Sequence, residues 1–213
     1  MKDQLLREIV LMEWEMFQNV SNVGGKAPCQ QNQKTFSVMR VSQAMSWTKP
    51  MLESYLEDLR LAEKQGRNLL AEKYARMMED TFPEEYKNLE SQLPPLSDEV
   101  ISLAERITAL MVHWAKEARE KYPRVVGAGR PIVKGEVSRR DTSLETYNRG
   151  ELLTYSIRTL TFCWDYFSQC FIEGTNAYEA ILENTVRLYG YESLAQAEAD
   201  RSLESAGGRF SGI

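Results

Sequence analysis

The chain has 213 residues, of which 43% are hydrophobic and 27% are charged, and its formal net charge at pH 7 is −5. This length and composition are typical of one globular domain that supports its own core. The acidic balance argues against nonspecific binding to nucleic acid or to anionic lipid, so neither partner is expected.

Membrane insertion and secretion are not expected either. No stretch approaches the roughly eighteen uninterrupted apolar residues of a membrane span. The N-terminal residues lack the apolar segment of a secretory signal. The cysteines Cys29, Cys163 and Cys170 are odd in number, which is typical of reduced thiols in a cytoplasm.

The chain contains one histidine, His113. Ser-His-Asp catalysis needs a histidine at a different place in the sequence. Multi-histidine zinc sites and paired Glu-x-x-His di-iron sites need more than one histidine. These classes of enzyme are therefore not expected.

Apolar residues recur at helical spacing through most of the chain, and cap or stop residues mark the ends of the helical stretches. Pro83 either ends one helix or begins a short one to Gln92. The other predicted helices run from Asp3 to about Phe17, Thr35 to Trp47, Thr48 to Gln65, Leu69 to about Thr81, Ser97 to about Lys121, Thr142 to about Ile172, Asn176 to Tyr189 and Glu192 to about Ser205.

The predicted fold is therefore all-α, an irregular single-domain bundle of about seven to eight helices over residues 1–205. Residues 206–213 contain three of the glycines and are predicted to form a flexible tail. The segment 124–141 has little periodicity, and a short β-hairpin near 125–140 remains open as an alternative.

Glu13 lies on a helix row that is otherwise apolar, together with Leu6, Val10 and Phe17. A buried carboxylate is costly unless it is paired or hydrogen-bonded. Two interpretations of Glu13 therefore remain: it forms a Glu–Arg pair that holds two helices in register, or it is an acid that faces a ligand. Glu15, by contrast, is expected to face solvent.

A second polar cluster follows the glycine-rich stretch, where Glu145, Tyr147, Arg149, Glu151 and Tyr155 come in close order. Glu145 and Arg149 are four residues apart, a spacing that allows them to pair on a helix. A glycine inside a helix is unfavourable, so Gly150 suggests a close approach to another element. We expect this cluster to form one wall of a polar pocket.

The loop 24–30 is the candidate for the opposite wall. Its glycines could present backbone N–H groups to an anion, and Lys26 would add positive charge. Cys29 is a candidate nucleophile or a substrate-contacting thiol, and Gln30 a candidate binding residue. Arg40, Gln43, Arg76, Arg130 and Arg149 could complete a site for a carboxylate or phosphate.

Five stretches of the sequence, Met12–Phe17, Gly24–Gln30, Thr35–Arg40, Gly66–Met78 and Thr142–Leu152, resemble a bacterial family known as domain of unknown function 4125. The likeness extends over nearly the whole chain, to about Glu198. The resemblance implies a bacterial, cytoplasmic, helical protein and supplies no activity and no catalytic residues.

Two hypotheses on function remain. The first is an enzyme of lyase, isomerase or hydrolase type that acts on a small anionic metabolite by glutamate acid/base chemistry. Its catalytic candidates are Glu13, Cys29, Tyr147 and Glu151, and its substrate-binding candidates are Lys26, Gln30, Arg40, Gln43, Arg130, Glu145, Arg149 and Tyr155. The second is a noncatalytic helical binding module whose buried polar residues form structural ion pairs.

No cofactor is evident from the sequence. Two glutamates could bind Mg²⁺ or Mn²⁺, which would be a variant of the enzyme hypothesis. The sequence also leaves a homo-oligomer open. The enzyme hypothesis predicts that one solvent-connected cavity brings together Glu13, Cys29, Arg40, Glu145, Arg149 and Glu151.

Overall fold

The computed structural model describes residues 2–21, 28–136 and 142–200, with only the backbone for residues 28 and 29. Over these ranges the chain forms eleven α-helices and two short 3₁₀ turns, and no strand, so the predicted all-α class is confirmed. The helices are α1 (Lys2–Gln18), α2 (Gln33–Ser46), α3 (Lys49–Lys64), α4 (Leu69–Thr81), α5 (Pro83–Leu89), α6 (Asp98–Lys121), α7 (Pro123–Gly127), α8 (Leu144–Leu152), α9 (Ile157–Ile172), α10 (Ala177–Leu188) and α11 (Leu194–Ala199), and the 3₁₀ turns are Pro28–Gln31 and Glu90–Gln92.

Most helix starts lie where capping residues predicted them. Thr48, Asn68, Ser97 and Asn176 each accept a hydrogen bond from the backbone N–H three residues later, which satisfies an amide that the helix itself leaves unpaired. The end of α3 is also as predicted, since Gly66 adopts a positive φ of 68° just after the helix.

The predicted count of about seven to eight helices is wrong for the described residues, because one long predicted helix is two and because the short helices α5 and α7 add to the count. The break lies between α8 and α9. There the backbone N–H of Ser156 donates to Asp58 Oδ2 at 3.0 Å, and the Ser156 side chain caps α9. The helix therefore cannot continue through Ser156. The start of α8 also shifts by one residue, because Ser143 rather than Thr142 is its cap.

The predicted β-hairpin is absent from residues 125–136, which form the end of α7 and a series of turns. The carboxylate of Glu136 accepts from the Ile132 N–H at 2.9 Å and folds this segment back on itself. Residues 137–141 lie outside the described part of the chain, as does the predicted tail, 206–213. The single domain over 1–205 stays a prediction.

The core forms where α6 packs against α8, α9 and α10, and where α3 packs on α1 and α9. Helix α10 lies along α2, and α4 lies across α8. Cys163 and Cys170 are buried in this core as free thiols. Among the described helices, none has the length and apolar character needed to cross a membrane.

Candidate functional site

Four charged side chains meet inside the bundle, and we call them the buried charge network: Glu13 of α1, Arg40 of α2, Lys73 of α4 and Glu151 of α8. Glu13 is 0% exposed and Lys73 is 1% exposed, so neither charge has access to bulk water. Isolated charges at such positions would be strongly unfavourable, and only mutual pairing makes them tolerable. Two carboxylates and two cations leave the network formally neutral.

Arg40 is the centre of the buried charge network. Its Nε donates to Glu13 Oε2 at 2.8 Å, and its Nη2 donates to the other oxygen of Glu13. Its Nη1 donates to Glu151 Oε2 at 2.9 Å. The guanidinium therefore bridges the two carboxylates, and the Glu–Arg pair that was one of the two interpretations of Glu13 is present, between α1 and α2.

Lys73 supplies the second cation of the network. Its Nζ donates to Glu151 Oε2, and it also lies 3.3 Å from the centroid of the Tyr147 ring. Lys73 can reach Glu151 because α4 and α8 approach closely at Gly150, which confirms the close approach predicted for this glycine.

Neutral donors occupy the remaining carboxylate positions. The hydroxyl of Tyr55 donates to Glu13 Oε1 at 2.7 Å, and that of Tyr155 donates to Glu151 Oε1 at 2.7 Å. Gln43 Nε2 also donates to Glu151 Oε1, at 3.1 Å. Each carboxylate is thus held by charged and neutral donors together.

The pKa shifts reflect this pairing. Burial alone would raise the pKa of Glu151, but Arg40 and Lys73 outweigh it and hold that pKa well below its usual range. Burial and the neighbouring carboxylates raise the pKa of both Tyr55 and Tyr155. At neutral pH Glu151 is therefore ionised and both phenols are protonated.

Two small cavities adjoin the network between α2, α6, α8 and α10. The first has a volume of about 30 Å³ and the second of about 50 Å³. Gln43, Met111, Asn148 and Ile181 line both of them; Glu151 and Tyr155 line only the first, and Arg40 and Tyr147 only the second. Each exceeds the space that one water needs, so each can hold a small group of atoms.

Asn148 differs from the other polar residues at these cavities. Its Nδ2 atom is buried and has no hydrogen-bond partner among the described residues. Gln43, by contrast, is engaged with Arg40 and Glu151. A buried amide donor without a partner is rare, because it loses its hydrogen bonds to water without replacement. Asn148 therefore offers a donor to an acceptor atom placed in either cavity.

Two predicted site residues of α8, Glu145 and Arg149, line neither of the two small cavities. Arg149 does not pair with Glu145, as its spacing suggested, but donates to Glu79 Oε2 of α4 at 2.6 Å. Glu145 Oε2 accepts from the backbone N–H of Lys134 at 3.0 Å. The packing of α8 on α4 thus presents a closer carboxylate to Arg149 than its own helix does.

The predicted opposite wall is only partly described. Lys26 and the side chain of Cys29 lie outside the described residues. The amide of Gln30 donates to the backbone oxygens of Phe17 and Val20 at 2.7 and 3.0 Å, so it holds the end of α1 rather than lining either cavity. Helices α2, α6 and α10 line both cavities together with α8 instead, and α9 also lines the first.

Arg130 and Tyr147 lie at the edge of the site. The guanidinium carbon of Arg130 is 4.8 Å from the Tyr147 ring centroid, so two cations, Arg130 and Lys73, adjoin one aromatic ring. Arg130 Nε is buried without a hydrogen-bond partner in the described part of the chain. Tyr147 connects these cations to the second cavity.

Of the network and its direct hydrogen-bond partners, the sequence predicted Glu13, Arg40, Gln43, Glu151 and Tyr155 and missed Lys73 and Tyr55. Beside the second cavity it predicted Tyr147 and Arg130 and missed Asn148. A signal for Lys73 was present, because it lies four residues after Leu69 and four before Met77 on an apolar row. That is the criterion that singled out Glu13. Tyr55 had no comparable signal, since a tyrosine on an apolar row is ordinary.

No group of three or more His, Cys, Asp or Glu side chains is arranged to hold a metal ion in residues 2–21, 28–136 and 142–200. The two glutamates that the sequence offered as Mg²⁺ or Mn²⁺ ligands are instead bound by Arg40 and Lys73.

The comparison with protein families gives one match. The model of a family described as Protein of unknown function (DUF4125) matches residues 3–199. Neither the curated proteins nor the solved structures contain a match to the chain.

Proposed function

The chain belongs to the family DUF4125, and we propose that it is a binding protein for a small carboxylate, which occupies the cavities beside the buried charge network. The buried, unpartnered Nδ2 of Asn148 is the observation that carries this proposal. It lines both cavities and would donate a hydrogen bond to a carboxylate oxygen.

The charges around the two cavities and the size of the cavities support a small anion as the ligand. Arg40 lines the larger cavity, and Lys73 and Arg130 adjoin the ring of Tyr147 beside it. With Glu13 and Glu151 these residues give an excess of one positive charge. Volumes of about 30 and 50 Å³ suit a ligand of a few non-hydrogen atoms.

In this proposal the buried charge network is a rigid support and takes no part in a reaction. Both carboxylates are saturated by Arg40, Lys73, Tyr55, Tyr155 and Gln43. Side chains locked in this way fix the positions of α2 and α8, which carry Gln43 and Asn148.

Thermal unfolding of the full chain with a panel of two- to four-carbon carboxylates tests the proposal. A ligand at 100 times its Kd adds about 2.7 kcal/mol of stability. This raises the Tm of a domain of this size by roughly 5–10 °C. The Asn148→Leu variant should lose the shift, whereas the control Asn88→Leu, at an exposed position of α5, should keep it. No shift with any carboxylate, or an equal shift in Asn148→Leu, contradicts the proposal.

An acid/base enzyme is the second candidate, and the position of Glu151 and Tyr155 at the wall of the smaller cavity favours it. The carboxylate would act as a base on a bound ligand. The depressed pKa of Glu151, which Arg40 and Lys73 cause against the effect of burial, makes it a weak base at neutral pH. Mass spectrometry of any ligand incubated with wild type and with Glu151→Gln distinguishes the two functions, because only the enzyme converts it.

We also propose a bacterial cytoplasmic location. Cys163 and Cys170 are free and buried, as is common for thiols in a reducing compartment. Fractionation of bacterial cells that express the full chain, followed by immunodetection, tests this, and recovery from the periplasm or medium contradicts it.

A further inference from the structure

A third cavity, which we call the Arg76 cleft, shares Tyr155 with the first cavity but is lined by none of the four charged side chains of the network. Its volume is about 320 Å³, several times that of the two cavities beside the network. The segments 94–97 and 153–157 and the neighbouring parts of α3, α4 and α6 surround it. A volume of this size falls in the range of ligand pockets.

Arg76 is the unusual residue of this cleft. It is 5% exposed, and it forms no ion pair with any carboxylate in the described ranges of the chain. Its Nη2 donates to the backbone oxygen of Pro94 at 2.7 Å, which fixes the guanidinium in place. Its Nε is buried with no hydrogen-bond partner among the same residues. A buried guanidinium ordinarily has a carboxylate or phosphate partner.

The other charged groups at the cleft already have partners. Arg67 donates to both carboxylate oxygens of Glu72, at 2.8 and 2.7 Å. Asp58 accepts from the Ser156 N–H and from the Thr159 hydroxyl, at 3.0 and 2.6 Å. Both donors to Asp58 are neutral, so the cleft region holds two cations, Arg67 and Arg76, and two carboxylates, Asp58 and Glu72. Of the two cations, Arg76 is the one that forms no ion pair among the described residues.

Backbone charge adds to that of Arg76. The N-terminal ends of α4, α6 and α9 all reach the cleft, through Leu69, Ser97 and Ile157. A helix N-terminus carries partial positive charge and favours an anion, which Asp58 already supplies at α9, whereas α4 and α6 are capped by the neutral side chains of Asn68 and Ser97. Burial lowers the pKa of Arg76, and Tyr86, which also shares a side-chain hydrogen bond with Arg76, and Glu72 partly offset this effect.

Part of the lining of the cleft is apolar. Leu61 is 53% exposed and Ile157 is 37% exposed, and Val100 and Leu153 also line the cleft. A ligand that fits has an anionic end for the guanidinium and an apolar body for this lining. A free inorganic anion would leave the apolar lining unused.

We propose that the Arg76 cleft binds a monocarboxylate with an apolar body, through the buried Arg76 and the apolar lining, of which Leu61 and Ile157 are the exposed part. This ligand is distinct from the smaller carboxylate proposed for the cavities beside the network, so either proposal can fail alone. Hexanoate is the probe for the cleft, with hexan-1-ol and hexylamine as its neutral and cationic counterparts.

Calorimetric titration of the full chain with these three probes gives the first test. We expect hexanoate to bind at least tenfold more tightly than hexan-1-ol and hexylamine. We expect Arg76→Gln to weaken hexanoate binding at least tenfold, and Arg158→Gln, which changes an exposed arginine, to leave it unchanged. Equal binding of hexanoate and hexan-1-ol, no binding of hexanoate, or unchanged binding to Arg76→Gln overturns the proposal.

Variants at Leu61, an exposed residue of the lining, keep the test decisive if Arg76→Gln does not fold. Because Leu61 is exposed, Leu61→Glu and Leu61→Lys should both fold. Leu61→Glu should weaken hexanoate binding, and Leu61→Lys should strengthen it. Affinities that do not differ between them overturn the proposal. Asn148→Leu should leave hexanoate binding intact. If this variant loses hexanoate binding, hexanoate occupies the cavities beside the network, and the proposed cleft site is overturned.

Discussion

Gly150 in α8 lies directly against the backbone carbonyl of Lys73 in α4. A β-carbon built on Gly150 would lie 3.1 Å from that carbonyl oxygen and 2.6 Å from Met77 Cγ. The absence of a side chain therefore allows the two helices to touch. The next residue of α8 is Glu151, and the same contact brings it within hydrogen-bonding distance of the Lys73 ammonium.

Replacing Gly150 with alanine should destabilise the fold by about 1–2 kcal/mol. Overpacking costs about 1–3 kcal/mol, and the higher helix propensity of alanine offsets about 0.5–1 kcal/mol of it. Urea unfolding measures the change. Gly127→Ala is the control, because apart from its chain neighbours and the backbone of its own helix no atom lies within 4 Å of the added β-carbon. It should therefore not destabilise the fold, and it should gain up to about 1 kcal/mol from helix propensity. Equal effects of the two substitutions would show that the contact is unimportant.

Lys73→Met should destabilise the fold by about 3–5 kcal/mol, because it leaves Glu151 buried with one cation in place of two. Adding Glu151→Gln should recover at least about 1 kcal/mol, since it removes the unmatched charge. Lys87→Met, at an exposed ion pair with Glu84, should change stability by less than about 0.5 kcal/mol. A double variant no more stable than Lys73→Met contradicts the assigned pairing.

Glu151 should also make stability depend on pH in the acid range. Its pKa in the folded protein is held below the ordinary value of 4.5 by Arg40 and Lys73, against the effect of burial. The resulting stabilisation is present above about pH 4.5 and is lost as the pH falls towards the folded-state pKa. Unfolding of wild type and Glu151→Gln between pH 7 and pH 3 should give a stability difference that shrinks with acidity. A constant difference would rule out this linkage.

Tyr155 should have the opposite dependence, in the alkaline range. Burial and Glu151 raise its pKa well above the ordinary value of 10.0, so the folded state keeps a proton that the unfolded chain releases. Its stabilisation is therefore complete below pH 10 and decreases as the pH rises further. Tyr155→Phe should lose about 1.5–3 kcal/mol at pH 8 and less at pH 11. Unfolding curves at both pH values measure this, and an equal loss at both contradicts it.

Local signals account for the parts of the fold that the sequence predicted correctly. Thr48, Asn68, Ser97 and Asn176 each cap a helix through a hydrogen bond that spans three residues, and Gly66 ends α3 through its own backbone conformation. Such features depend on neighbours along the chain. The break at Ser156 was missed because its backbone N–H bonds to Asp58, which is 98 residues away.

The candidate site also has residues that local sequence signals predicted and residues that they did not. Glu13 and Gly150 could be recognised because each violates the local rule of its own helix, one as a charge on an apolar row and the other as a glycine within a helix. Their partners could not be recognised. Glu145 and Arg149 had the spacing of an ion pair, yet Glu79 binds Arg149 because α4 packs on α8.

The sequence by itself determined the helical class, most of the capped helix ends and the presence of costly polar residues in the interior. Only the tertiary structure decided which charges compensate each other, because Lys73 and Glu151 are 78 residues apart and the free energy of a buried charge depends on the groups that surround it. The tertiary structure also decided that Asn148 and Arg76 keep buried donors without partners in the described part of the chain. Unmet hydrogen bonds of this kind arise from the packing of several helices, which no single segment encodes.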